Sequence, residues 1–367
     1  MSRRVYVHVG APKTGTTYLQ DRLGRNAKSL ARHGVHIPSR GPMERPGMFH
    51  FRAALDLLGQ DWGGPRGHAE GAWDAMVRRV RRQSGTVIIS HEILAPAPPE
   101  QVARLKRDLA DSELHIVYSA RDLARQIPAG WQESIKQGRR WRYRRYLATV
   151  RDGRPWFARA FDLPAVLTQW GAGLPPDRVH VVTVPHPDAV QADPDLLWHR
   201  FCTAFGIDPA WAPEDSDRVN ASLGVAETQV LRQLNTRIGR ATRRNPGYDA
   251  LILGMLATDT LGGSSSPILL PPELLPWATE RGETWVEWLE QSGVHVVGDL
   301  AELLPRPIPD DVPFRHPDRV RSRPQLRAAL EALAAMTQEA ASRPDPRATL
   351  RGRLRRARSA YKRPSRR

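Results

Sequence analysis

Lys13 stands two residues before a glycine and three before a pair of threonines, in the run Gly10-Ala11-Pro12-Lys13-Thr14-Gly15-Thr16-Thr17. A turn of this kind at the start of a helix binds phosphate or sulfate. The first N–H groups of a helix have no partner within it, and its dipole favours an anion. Glu92, with His91 beside it and His50 elsewhere in the chain, supplies groups able to accept a proton. These residue types fit group transfer from an anionic donor to an acceptor that loses a proton.

Such chemistry needs a frame that brings distant residues to one place. Val5, Val7 and Val9 alternate with Tyr6 and His8 and predict a strand that Gly10 ends. Thr16 or Thr17 then opens a helix through Leu19, Leu23, Ala27 and Leu30, with Gly34 as its stop. Apolar runs at 86–90 (TVIIS), 113–121 (ELHIVYSAR) and 178–184 (RVHVVTV) predict further buried strands. Helices are expected over Ala69–Gln83, Pro99–Ser112 and Asp195–Phe205. Near-continuous Val/Ile runs separated by helices indicate an α/β fold with a parallel central sheet flanked by helices, of at least four strands. Ligands bind such sheets at the C-terminal ends of the strands, where the 10–17 loop, Arg121 and the His91-Glu92 pair all fall.

The position of the lysine distinguishes this loop from a nucleotide-triphosphate loop. A G-x-x-x-x-G-K-[ST] loop places lysine directly after its second glycine, and here Thr16 takes that place. Pro12, Lys13, Thr14, Gly15, Thr16 and Thr17 match the P-K-[ST]-G-T-T pattern of the sulfotransferases, and the chain resembles that family. The resemblance implies a P-loop-like fold and 3'-phosphoadenosine 5'-phosphosulfate (PAPS) as sulfuryl donor, with the 10–17 loop on its 5'-phosphosulfate. In that family a strand ends in an arginine, and a serine eight residues later joins it on the 3'-phosphate. Arg121 matches, while the serine position holds Ala129. Arg125 or a residue of the Arg139 to Arg145 cluster is the expected replacement. Across the family the catalytic base is a histidine or a glutamate, which makes Glu92 the first choice here, ahead of His91 and His50. Lys13 would stabilise the leaving oxygen, and no metal is expected.

Composition narrows the setting. The 367 residues carry one cysteine, Cys202, which leaves no intrachain disulfide and no cysteine-rich metal site. No apolar run reaches the length of a membrane-spanning helix, and a cytoplasmic enzyme is expected. The net charge of +16 is uneven: residues 343–367 hold eleven Lys/Arg and a single acid, Asp345. That stretch is expected to be a disordered basic tail able to contact an anionic surface, without specific nucleic-acid recognition. Residues 1–305 are read as the α/β domain and 306–342 as a helical extension. Within the chain's second half, 262–276 is expected to be a loop, Glu283–Gln291 and Gln325–Ala341 helices, and Val294–Val297 a short strand. The acceptor, whether small molecule, glycan or lipid, is not encoded in any motif. A P-loop nucleotide or small-molecule kinase and a non-catalytic anion-binding module are the alternative readings.

Overall fold

Every residue of the first strand from Val5 to Gly10 is buried, and its alternate side chains enter two different cores. Val5, Val7 and Val9 pack with Val87, Ile89 and Ile116 on one face of the sheet. Tyr6 packs with Ile88, Val117 and Val182 on the other. A strand buried on both faces needs apolar residues at nearly every position, and that is what the Val/Ile runs supply.

The computed structural model describes residues 3–41, 44–217, 222–243, 246–262, 265–307 and 312–343. Beyond Arg343, the expected basic tail lies outside the described residues. Strand β1 (Arg4–Gly10) leads through the 10–17 loop to helices α1 (Thr16–Arg25) and α2 (Ala27–Arg32). The two-residue strand β2 (Val35–His36), helices α3 (Pro46–Leu57) and α4 (Ala72–Arg81), and strand β3 (Thr86–Ser90) follow. Next come α5 (Pro99–Asp108), β4 (Glu113–Ala120) and α6 (Leu123–Lys136), with β5 (Val179–Thr183) and β6 (His295–Val297) later in the chain. The sheet has six parallel strands in the order β2-β3-β1-β4-β5-β6. The chain leaves β1 toward one edge and, after β3, crosses to the other side of it. The ends of β3, β1 and β4 therefore lie side by side at the switch point where such sheets form a ligand crevice.

The structure departs from the sequence reading at four places. The single helix expected from Thr16 or Thr17 to Gly34 is two, broken at Asn26. Asn26 turns its amide away from helix propagation: Nδ2 donates to the carbonyls of Arg22 and Glu214, and Oδ1 accepts from the Glu214 N–H. The edge strand β2 is too short to leave a periodic signal. Helix α6 forms despite Pro128 in its interior, which obscures its pattern in the sequence. The later helices run longer than expected, Leu275–Ser292 and Ser322–Ser342.

Candidate active site

Two glycines let the loop turn against its neighbours. Gly10 has φ +132°, and a Cβ there would lie 3.5 Å from Glu92 Cα and 3.2 Å from Ala95 Cβ. Gly15 has φ +88°, and a Cβ there would lie 2.8 Å from Leu197 on the Leu196–Phe205 helix. Lys13 shares the left-handed region, with φ 66°. A lysine held in that conformation costs about 1–2 kcal/mol, so the surrounding structure must impose it.

The surroundings do so through hydrogen bonds from β4 and α6. Ser119 bridges the parts: its carbonyl accepts from the Ala11 N–H at 2.9 Å, and its hydroxyl donates to the Gly10 carbonyl at 3.0 Å. Arg121 Nη1 donates to the Lys13 carbonyl at 3.1 Å, and Gln126 Nε2 to the Pro12 carbonyl at 3.0 Å. Thr14 is fully buried, its hydroxyl 2.5 Å from both the Ala11 carbonyl and the Ser119 hydroxyl. Beneath them lies His8, with Nδ1 2.8 Å from Ser90 Oγ and Nε2 3.1 Å from Ser119 Oγ. Burial pushes this imidazole down to about 4, so it is neutral and ties together the ends of β3, β1 and β4.

The Lys13 ammonium reaches across to α6, where Nζ meets Glu133 Oε2 at 3.0 Å. Lys136 Nζ meets the same oxygen at 3.2 Å. Burial would raise the Glu133 carboxyl, but the two lysines outweigh it and hold it at about 2. Burial lowers Lys136, with Lys13 adding to the effect and Glu133 opposing it. One carboxylate shared by two ammonium groups leaves a surplus of positive charge. Arg121 adds to it: its buried Nε has no hydrogen-bond partner, and burial with the nearby Arg125 charge lowers the guanidinium to about 10. A charged donor left unpaired in a buried site costs about 1–3 kcal/mol, which an anion would recover. Helix α1 carries no side-chain cap and no acid in its first turn. Thr16 is buried and Thr17 exposed at that end.

Ala129 lies on α6 three residues after Gln126 and four before Glu133. Helical spacing puts all three on the face that holds the loop. The methyl group occupies this face without offering a donor. Arg125 does not replace one. Its guanidinium is spent on Asp122 and on the carbonyls of Val184 and Pro185, at the end of β5. No local pattern marks Glu133 and Lys136, because the carboxylate that meets Lys13 comes from 120 residues away.

Glu92 opens the turn after β3, beside the start of the loop, and Gln20 Nε2 of α1 donates to Oε2 at 3.1 Å. Burial works to raise this carboxyl, yet His91, its own backbone N–H and Gln20 hold it below the ordinary value. His91 is lowered by burial against the pull of Glu92, with Nδ1 3.8 Å from Glu92 Oε2. Both directions favour an anionic Glu92 beside a neutral His91 at pH 7. His91 Nδ1 accepts from the Ile93 N–H. His50 is a different case: Nε2 donates to the Pro38 carbonyl at 2.9 Å, and Nδ1 accepts from the Ser90 N–H at 3.2 Å. With both nitrogens engaged by backbone, it supports β3 and offers no free base. Phe51 packs between the rings of His91 and Trp62, 5.1 Å from each.

Among the described residues no group of three or more His, Cys, Asp or Glu is arranged to hold a metal ion. No helix among them is long and apolar enough to cross a membrane. No protein-family model and no curated protein matches the chain. It is similar to a solved sulfotransferase from Alicyclobacillus acidocaldarius, with 17% identity and a TM-score of 0.36 over 66% of this chain and 100% of that one. So loose an overlap adds nothing to the assignment of any residue.

Proposed function

We propose that this protein moves a sulfuryl group from PAPS to a hydroxyl or amine of an acceptor. The observation that carries the reading is the lysine on the loop itself, with Nζ beside Glu133 and Lys136, and with Arg121, whose Nε is partnerless, bonded to the Lys13 carbonyl. A donor with acidic groups at two ends suits such a spread of cations. A triphosphate loop would instead carry its lysine in the first turn of α1, where Thr16 stands.

PAPS supplies an activated sulfur–oxygen bond. The acceptor atom bonds to sulfur as the bond to the bridging oxygen breaks, and adenosine 3',5'-bisphosphate leaves with that electron pair. Glu92 takes the acceptor proton, with His91 as the neighbouring alternative. Lys13 offsets charge on the leaving oxygen, while the Gly15 to Thr17 amides and the Thr17 hydroxyl hold the 5'-phosphate. Arg121 faces the 3'-phosphate, and Lys136 adds on α6 the positive charge that Ala129 does not. Glu133 holds Lys13 in place over the loop between turnovers. Phe51 and the half-exposed Trp62 suit an acceptor with an apolar or stackable face.

The test is release of adenosine 3',5'-bisphosphate from PAPS over a panel of phenolic, amine, saccharide and lipid acceptors. Release that depends on acceptor and on Lys13 supports the reading. Release of ADP from magnesium-ATP would replace it with a kinase.

A further inference from the structure

Three large apolar side chains, Leu326, Leu330 and Leu333, are exposed by 61%, 56% and 59% on the Ser322–Ser342 helix. Their spacing of four and three residues puts them on one face. The opposite face presents Ala328 and Ala332, which are buried against the Val225–Arg237 helix and the 250–260 segment. A helix stabilised only by its own protein would do the reverse, with leucines inward and small or polar residues outward. Close packing of the alanine ridge leaves the leucine stripe uncovered among the described residues.

Charge indicates what would cover it. Arg315, Arg319, Arg321, Arg323 and Arg327 are all exposed, before the stripe and in its first turn. Acids on the helix are few: Glu331 pairs with Arg327 and Glu339 with Arg343. Asp318 is engaged by the Tyr143 and Arg144 N–H groups. Beyond the helix, residues 343–367 contribute eleven Lys/Arg against one acid. The leucine stripe is thus bracketed by cationic sequence on both sides.

We propose that this helix face docks on an anionic lipid bilayer, with the leucines at the acyl boundary and the arginines at the lipid phosphates. An apolar stripe and a polybasic segment are each weak anchors, and together they give stable attachment. A nucleic acid would use the arginines and leave the leucines in water. A second copy would bring two cationic segments together over three leucines, a contact of a few hundred Å² where a stable interface needs about 800 Å² from each partner.

The experiment is co-sedimentation of the full chain with phosphatidylcholine vesicles, with and without phosphatidylglycerol, at about 0.1 M salt. Sedimentation is expected with the anionic vesicles only. Joint replacement Leu326→Glu, Leu330→Glu and Leu333→Glu, at solvent-facing positions and checked by thermal melting, should weaken partition at least about tenfold. Four results overturn the proposal: no binding to anionic vesicles; equal partition of the variant, which would reduce the effect to bare charge; a solution dimer that the variant abolishes; or duplex DNA binding that outcompetes the vesicles.

Discussion

At the C-terminal ends of the strands, buried polar groups run from Ser90 through His8, Ser119 and Thr14 to the loop, and end at Lys13 and Arg121. At the N-terminal ends a second array crosses the same sheet. Arg4 pairs with Glu113 at 3.0 Å, Glu113 with His115 Nε2 at 2.9 Å, and His115 Nδ1 with His180 Nε2 at 2.9 Å. His180 Nδ1 then meets His295 Nδ1 at 3.0 Å, and Tyr6 stacks on His115 at 4.6 Å. One set of tautomers satisfies this row: His115 donates to Glu113 and accepts from His180, which accepts from His295. The row closes on itself. The loop end does not, since two ammonium groups share one carboxylate and Arg121 Nε has no partner. Buried polar groups that are fully paired hold a fold together, and those left short of a counter-charge are places where a ligand can supply one.

Substitutions at the two ends should separate these roles. Lys13→Ala is expected to lower turnover by about 10³-fold with the melting temperature preserved, because the charge at the leaving oxygen is lost. Glu92→Gln should retain binding of adenosine 3',5'-bisphosphate while turnover falls by about 10²-fold. Full activity in that variant would pass the base to His91. His180→Gln, at the closed end, should leave turnover unchanged, and a loss there equal to that of Lys13→Ala would erase the distinction.

Acid stability sharpens the comparison further. His8 and His180, one at each end, are both lowered by burial from 6.5 to about 4. Each binds its proton more readily in the unfolded chain, so its contribution is complete above pH 6.5 and is lost as pH falls toward 4. Equilibrium unfolding followed across that window should show stability declining with acid. His8→Gln and His180→Gln should each flatten the decline, and only His8→Gln should also reduce turnover, by about tenfold, through the loosened loop.

The same contrast explains what was legible in the sequence. Strands β1, β3, β4 and β5 announce themselves because burial on both faces demands unbroken Val/Ile runs. The loop is readable because its glycine, lysine and threonine residues stand at fixed spacing within one local stretch. Glu133 and Lys136 are not, since a helix whose pattern is obscured by an interior Pro128 carries them to Lys13 across tertiary distance. Asn26 breaks the first helix through bonds to Glu214, a partner that no local pattern contains. His8 had one signal, a polar residue in a strand otherwise apolar, and its meaning depends on Ser90 and Ser119 from two other strands. Arg125, plausible as a phosphate donor by proximity in sequence, is directed to β5 by Asp122.

Under the proposed function, Arg121 and the loop lysine hold a donor with a phosphate at the 3' position. Calorimetric titration with adenosine 3',5'-bisphosphate, and separately with magnesium-ATP, tests it directly on the wild type and Arg121→Ala. Micromolar binding of the bisphosphate, weakened about 10- to 100-fold in Arg121→Ala, is the expected result. Preference for magnesium-ATP, or bisphosphate binding indifferent to Arg121, would contradict it.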